Sequence, residues 1–542
     1  MLFVILLAGI GAVIFQSMAC RLGCVTGLDL ATHCRLLLYN RPKYRLLCRY
    51  GLLYPLYALC EVAIISTDLA ELLGSGIGLV LLFPSMPLWA AMLITAVDVL
   101  VFLVIGDPSR GGGRPARIFE WTVMALVVGV IVSFVILLVK IGAQWNEVFL
   151  GYVPSAQLFQ TSPNAIYAAI GILGATVMPH ALFLGSYLAT QDRESALPEP
   201  IPLPVATSTN RERCTAYLRS LFAVTRSERI AADRQHRSQF VRPDNNTYEF
   251  IHAHLGHGIV DIVASLLCIA VPINSAILVI AASVFYDKAT PRLKDPNSSA
   301  VGLFDAYDLI QQRIGPAPAV IFAIALLCAG QTASITATLA GQIVSEGFIE
   351  WRISPVMRRM VTRLLGLIPA LAVATALGRE GIEVLMVISQ VVLSVVLPFV
   401  VLPLIYLSSS SHIMSVEKAR PSTMATLSIS EKFDGNGPEP LPEIVSVRDD
   451  VSTPSGATSI YSGEIEEALR TETSRSDTIS DDVELPPRQS TFDPVACESR
   501  IGTVNLSNGS AVVFFGYLFW ILVVVANVYA LVELAIGNVS TS

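Results

Sequence analysis

Charge is what this chain has least of. Only 15% of its 542 residues are Asp, Glu, Lys or Arg, against 53% hydrophobic, and the mean hydropathy is +0.61. Such a composition excludes an ordinary soluble globule and describes a polytopic membrane protein. No C-x-x-C pair occurs among the nine cysteines, so neither a zinc ribbon nor a disulfide framework is signalled. No stretch of about 100 residues is left over for an ordered soluble domain. The opening apolar segment, 1–19, lacks the basic residues that precede the core of a signal peptide. Positive charge follows it instead, at Arg21, Arg35, Arg41, Lys43, Arg45 and Arg49. The positive-inside rule places that loop in the cytosol and the N-terminus outside. An outward N-terminus without a leader is unusual, and it points to a preceding helix missing from the chain.

What is present is a series of about ten apolar runs long enough to span a bilayer: 1–19, 52–83, 88–106, 117–142, 164–189, 257–286, 316–340, 360–378, 383–408 and 511–536. Four lie in 1–142. An external loop, 143–163, carries no basic residue. Residues 190–256 read as a cytosolic, Pro-rich linker, and 257–408 as a second membrane block. Residues 409–510 hold 17 acidic and 8 basic residues with abundant Ser and Thr, which predicts a disordered, acidic cytosolic loop. The formal net charge of −7 therefore belongs to that loop and not to the membrane part. A final helix and short tail occupy 511–542. The expected surroundings are lipid, no nucleic-acid partner is expected, and the partners of the cytosolic loops are unknown.

Chemistry concentrates in 164–189, which has Met178-Pro179-His180 near its centre. Proline removes a backbone donor and clashes with the carbonyl four residues back. In hydrocarbon the freed carbonyl needs another partner, so a broken helix tends to line a cavity where unwound carbonyls bind a cation. Met178 adds a thioether, a soft ligand that favours transition metals over Mg2+ or Ca2+. His180 is an intramembrane titratable group. A packing kink with incidental Met and His is the plain alternative.

Three carboxylates, Glu61, Asp68 and Glu71, lie seven and then three residues apart and share one helix face. They fit either a structural ion-pair network or a proton relay. Arg359 and Arg363 are four apart and share a face, with Arg358 beside them. Arg358 and Arg359 suit the role of juxtamembrane anchors, whereas Arg363, a turn deeper, needs a carboxylate such as Asp68 or Glu71. Asn274 and Gln390 are intramembrane amides that must find partners, in a permeation path or as interhelical glue.

The strings Ala175-Thr-Val-Met-Pro-His180 and Ile64-Ile-Ser-Thr-Asp-Leu-Ala-Glu71 resemble the sixth and third helices of the Nramp family, proton-coupled importers of manganese and iron. The run from Ala329-Gly-Gln-Thr-Ala-Ser334 to Phe348 is similar to that family's transport signature, and Ser389-Gln390 to its tenth helix. The resemblance implies an all-α, LeuT-like inverted-repeat transporter fold and no enzyme activity. It implies metal ligation by the Ala175 carbonyl, the Met178 sulfur and the Gln390 amide. A proton pathway through Asp68, Glu71, His180, Arg359 and Arg363 is implied too, and a permeation path that includes Asn274 and Glu61. The only cofactor-like species expected are the transported Mn2+ or Fe2+ and protons. Gly185 stands where many members have another His, a feature of fungal relatives.

One departure matters. The family's first broken helix carries Asp-Pro-Gly-Asn, and that string occurs nowhere in the 542 residues. The first repeat is expected to be incomplete, and metal transport by the chain as written to be feeble or absent. A non-transporting membrane partner, sensor or regulator derived from such a transporter is the competing reading. The expected location is the plasma membrane or an endosomal or vacuolar membrane.

Overall fold

The computed structural model of the chain describes residues 1–39, 41, 43–106, 114–154, 163–191, 245–285, 302–350, 355–418 and 502–536. It is built of helices and one short ribbon. In order these are α1 (Leu2–Thr26), α2 (Leu30–Tyr39), α3 (Arg45–Cys48), α4 (Tyr54–Leu82), α5 (Leu88–Gly106), α6 (Arg114–Ile141), α7 (Trp145–Leu150), α8 (Pro163–Thr176) and α9 (Pro179–Leu188). There follow α10 (Tyr248–Ala264), α11 (Val271–Phe285), α12 (Leu303–Arg313), α13 (Pro316–Ile349), α14 (Pro355–Ala376), α15 (Gly378–Ser409), β1 (Ser415–Lys418), β2 (Gly502–Asn505) and α16 (Ser510–Ile536). Single π-helical turns, Arg49–Leu53 and Ser265–Ala270, join α3 to α4 and α10 to α11.

Seven helices are long and apolar enough to cross a membrane, and three shorter apolar helices, Leu88–Val97, Val127–Ile141 and Met360–Ala376, accompany them among the described residues. Together they overlie the ten runs read from the sequence. Their outward faces are apolar. On α6 the exposed residues Trp121, Met124, Val128, Val132, Val135 and Val139 recur at helical spacing, and Val139 is 75% exposed. A stripe of that kind is costly in water and suited to lipid.

Among the described residues two large buried apolar clusters, with a small third one of Leu2, Ile5, Val271 and Val279, make the core. One gathers α1, α2, the start of α4, α8, α9, the end of α13, α15 and α16. The other gathers the rest of α4 with α5, α6, α12, α13 and α14. Helices α4 and α13 run through both, packed along each other at small residues. A Cβ on Gly330 would strike the Ser75 hydroxyl, and one on Gly78 would lie 3.0 Å from the Leu327 nitrogen. Such close backbone approach is how membrane helices gain packing energy without a hydrophobic driving force.

The sequence reading is corrected at two places. The opening helix runs on to Thr26 and ends in a left-handed Gly27 (φ 67°), not at residue 19. The 409–510 segment is not uniformly irregular, since its two ends pair as the antiparallel ribbon β1–β2. The Asn245 amide donates to the carbonyls of Ile413 (2.8 Å) and Ser415 (2.6 Å), which ties the ribbon to the start of α10. Residues 419–501, and most of the 190–256 linker, lie outside the described residues.

Between α1 and α2 the chain turns on polar contacts. Asp29 caps α2 by accepting from the Thr32 amide (2.9 Å) and hydroxyl (2.7 Å). Behind it His33 is buried, with Nε2 2.8 Å from the Thr26 hydroxyl oxygen. Burial pushes the His33 imidazole down to about 4. A His lowered in the folded state is neutral there, while the unfolded chain takes up a proton below about 6.5. Its contribution is therefore held above pH 6.5 and lost as pH falls toward 4. Burial raises the Asp29 carboxyl and acts in the opposite direction, so the informative quantity is a difference. The melting temperature of wild type should fall more steeply than that of His33→Gln between pH 6.5 and 4.5, and parallel curves would contradict this account.

Candidate metal and proton site

The centre of the site is the break between α8 and α9. Val177 and Met178 are not helical, and Met178 is extended (φ −80°, ψ 127°). The cause is Pro179, which opens α9 at a position where its missing N–H is harmless. The same missing N–H leaves the Ala175 carbonyl without its usual donor four residues on. Val177, Pro179 and His180 are buried, whereas Ala175 and Met178 are half-buried.

The break lies against α15 because Gly174 permits it. A Cβ there would collide with the Gln390 carbonyl oxygen and come within 2.8 Å of the Ser394 nitrogen. Both obstacles are main chain, which cannot swing away. The contact sets the Gln390 main chain against Gly174, and the Gln390 Oε1 is buried with no hydrogen-bond partner. An orphaned buried amide oxygen costs about 1–3 kcal/mol, so its retention here is unusual. Of the three neutral donors named from the sequence, Ala175 follows Gly174 at this contact, and Met178 lies in the break that comes after it. Among the described residues no group of three or more His, Cys, Asp and Glu is placed to hold a metal ion.

The titratable residues make their contacts along α4. His180 Nδ1 lies 3.3 Å from the Thr67 hydroxyl, which also donates to the Ala63 carbonyl (3.0 Å). Next in sequence, fully buried Asp68 pairs through Oδ1 with Arg363 Nη1 at 2.8 Å. Arg363 also donates to the carbonyls of Asp68 (3.2 Å) and Thr95 (2.9 Å). Glu61, nearly two turns before Asp68, takes a two-pronged contact from Arg358 Nη2 at 2.7 and 2.9 Å. Glu71 is buried against α13, where Gly330 makes room for its carbonyl.

These contacts answer a question the sequence left open and revise one reading. Arg363 takes Asp68. Arg358, read as a juxtamembrane anchor, is 5% exposed and bound to Glu61. The side chain of Arg359 lies outside the described residues. Asn274 is half-buried in α11, which packs mainly on α6, α12 and α1 and is not brought to the break. His254, in α10, stacks on Phe250 with ring centres 4.2 Å apart. Sequence reasoning missed Thr67, Thr95 and the polar contact of Asn527 with Ser394. The rule that an intramembrane Asn needs a partner would have found Asn527, had it been applied to the last helix.

Comparison with known proteins finds relatives along most of the chain. The family model described as "Nramp: Natural resistance-associated macrophage protein-like" matches residues 1–429. The iron transporter SMF3 of Saccharomyces cerevisiae is 35% identical over 439 residues, 81% of this chain and 81% of that protein. The manganese transporter pdt1 of Schizosaccharomyces pombe is 38% identical over 419 residues, 77% and 70% of the two chains. The crystal structure of the Eremococcus coleocola manganese transporter superposes with a TM-score of 0.55 at 28% identity. It covers 76% of this chain and 73% of that one.

Proposed function

The chain belongs to the Nramp family and has its inverted-repeat, all-helical membrane architecture, and from that premise we propose that it moves divalent transition-metal ions, manganese or iron, together with protons. The observation that carries this reading is the broken helix seated on Gln390. The Ala175 carbonyl, the Met178 sulfur and the Gln390 amide oxygen are the ligands the ion would meet. Sulfur selects against Ca2+ and Mg2+, which prefer oxygen alone. His180, Thr67, Asp68 and Arg363 form the proton side, with Glu71 on the same helix as Asp68; Arg359 in the proton pathway, and Glu61 and Asn274 in the permeation path, rest on the family resemblance alone. The membrane is the plasma membrane or an endosomal or vacuolar one, and no resident cofactor is needed beyond the transported ions.

All three ligands are neutral, and Asp68 is held by Arg363. A dication without a carboxylate is poorly compensated in low dielectric. An Asp-Pro-Gly-Asn helix of the kind the family resemblance implies would supply that charge. The test is Mn2+ entry into liposomes holding the full chain. Entry above that of empty vesicles, increased by acid outside, is expected. No entry at any pH would favour the competing reading of a non-transporting membrane partner or sensor.

A further inference from the structure

One hydrogen-bond column of α15 runs through Gln390, Ser394 and Pro398, spaced four apart. In a regular helix each residue's N–H reaches the carbonyl four positions back. Ser394 can do this for Gln390, but Pro398 has no N–H to give Ser394. The Ser394 carbonyl, fully buried, would be orphaned one turn after Gln390. It is not orphaned. Asn527 of α16 donates through Nδ2 to that carbonyl at 2.6 Å, and its Oδ1 accepts from the Ser394 hydroxyl at 2.9 Å. Nearly two turns earlier on α16, Trp520 Nε1 donates to the Pro398 carbonyl at 2.9 Å.

The last helix is itself held elsewhere. Phe519 packs edge-on to Phe15 of α1 with ring centres 5.5 Å apart, and Gly516 sits under Met18. On its other side Ser394 touches α8 at Gly174. One turn of α15 is therefore gripped by the helix that carries Ala175 and by a post anchored on α1.

We infer that Asn527 is a positioning residue. By supplying the donor that Pro398 lacks, it holds the proline hinge of α15 and thereby sets where Gln390 presents its amide to the ion. A helix interrupted by proline bends at low cost, and a side-chain clamp decides the angle. The kinetic part of this claim rests on the transport reading above. The structural part stands without it.

The test is a cycle of four full-length proteins: wild type, Asn527→Leu, Pro398→Ala and the double variant. Leucine keeps the volume and removes both hydrogen bonds. Alanine at 398 restores the missing N–H. Asn527→Leu should lower the melting temperature and raise the KM for Mn2+ at least fivefold, with Vmax within twofold. Pro398→Ala should leave KM near wild type and lower Vmax at least fivefold, because the hinge is stiffened. In the double variant the backbone donor should replace the lost amide, so melting temperature and KM recover while Vmax stays low. Melting shifts that simply add would overturn the clamp. An Asn527→Leu protein that melts early but keeps the wild-type KM would overturn the positioning role. If wild type moves no Mn2+, the transport reading has failed, and a second measurement decides the positioning. Labelling of Gln390→Cys by a water-soluble thiol reagent should then change at least fivefold when Asn527 is replaced, and an unchanged rate overturns the claim.

Discussion

Arg363→Met is expected to destabilise the protein by about 3–5 kcal/mol, the usual cost of leaving one partner of a buried ion pair alone. Asp68 has no exposure and Arg363 has 2%, so water cannot take over the lost contact. The substitution also strands the carbonyls of Asp68 and Thr95, which the guanidinium now serves. Replacing both partners, as Asp68→Leu with Arg363→Met, should recover most of that stability, since an apolar pair of similar volume avoids the desolvation penalty. It should not recover acid-stimulated Mn2+ entry. Thermal unfolding in detergent reads the first effect and liposome uptake the second. A double variant that regains acid stimulation would remove Asp68 and Arg363 from the proton side.

The second large effect is expected at Gly174. Gly174→Ala places a methyl group against the Gln390 carbonyl and the Ser394 nitrogen, neither of which can rotate away. Overpacking of this sort costs about 1–3 kcal/mol and more when backbone must shift. Here the shift has a direction, because α8 must leave α15, which separates Ala175 and Met178 from Gln390. Mn2+ binding should weaken by more than the loss of stability alone explains. Gly171, one turn earlier on the same helix, has open space where its Cβ would be. Gly171→Ala should be neutral or stabilise by about 0.5–1 kcal/mol through helix propensity. Equal effects at 171 and 174 would contradict the close approach.

What the sequence made legible was chemistry local to one element. Pro179 announces the break, Met178 the softness of the site, and the spacing of Glu61, Asp68 and Glu71 a shared face. Helix positions followed from apolar runs of bilayer length, although α1 and α13 run several residues beyond theirs. What the sequence hid was pairing between elements far apart in the chain. Arg358 and Arg359 are adjacent and chemically identical, so only packing reveals that Arg358 holds Glu61. Gly174 reads as one small residue among several, and only the approach of α15 gives it a role. Asn527 lies in an otherwise apolar helix outside the recognised motifs, and its meaning depends on a proline 129 positions earlier, at 398. The short ribbon β1–β2 was hidden for another reason. Four-residue strands flanking a polar loop lack the periodicity that would separate them from it.

The central claim is that the break at Ala175–Met178, with Gln390, forms a soft neutral site for a transition-metal ion. Equilibrium binding of Mn2+ and Ca2+ to the purified full-length protein and to Met178→Ala tests it most directly. Wild type should bind Mn2+ at least tenfold more tightly than Ca2+, even where both affinities are modest. Met178→Ala should lose most of that preference, chiefly by weakening Mn2+. Wild-type protein that binds the two ions alike, or a preference that survives loss of the sulfur, would contradict the account.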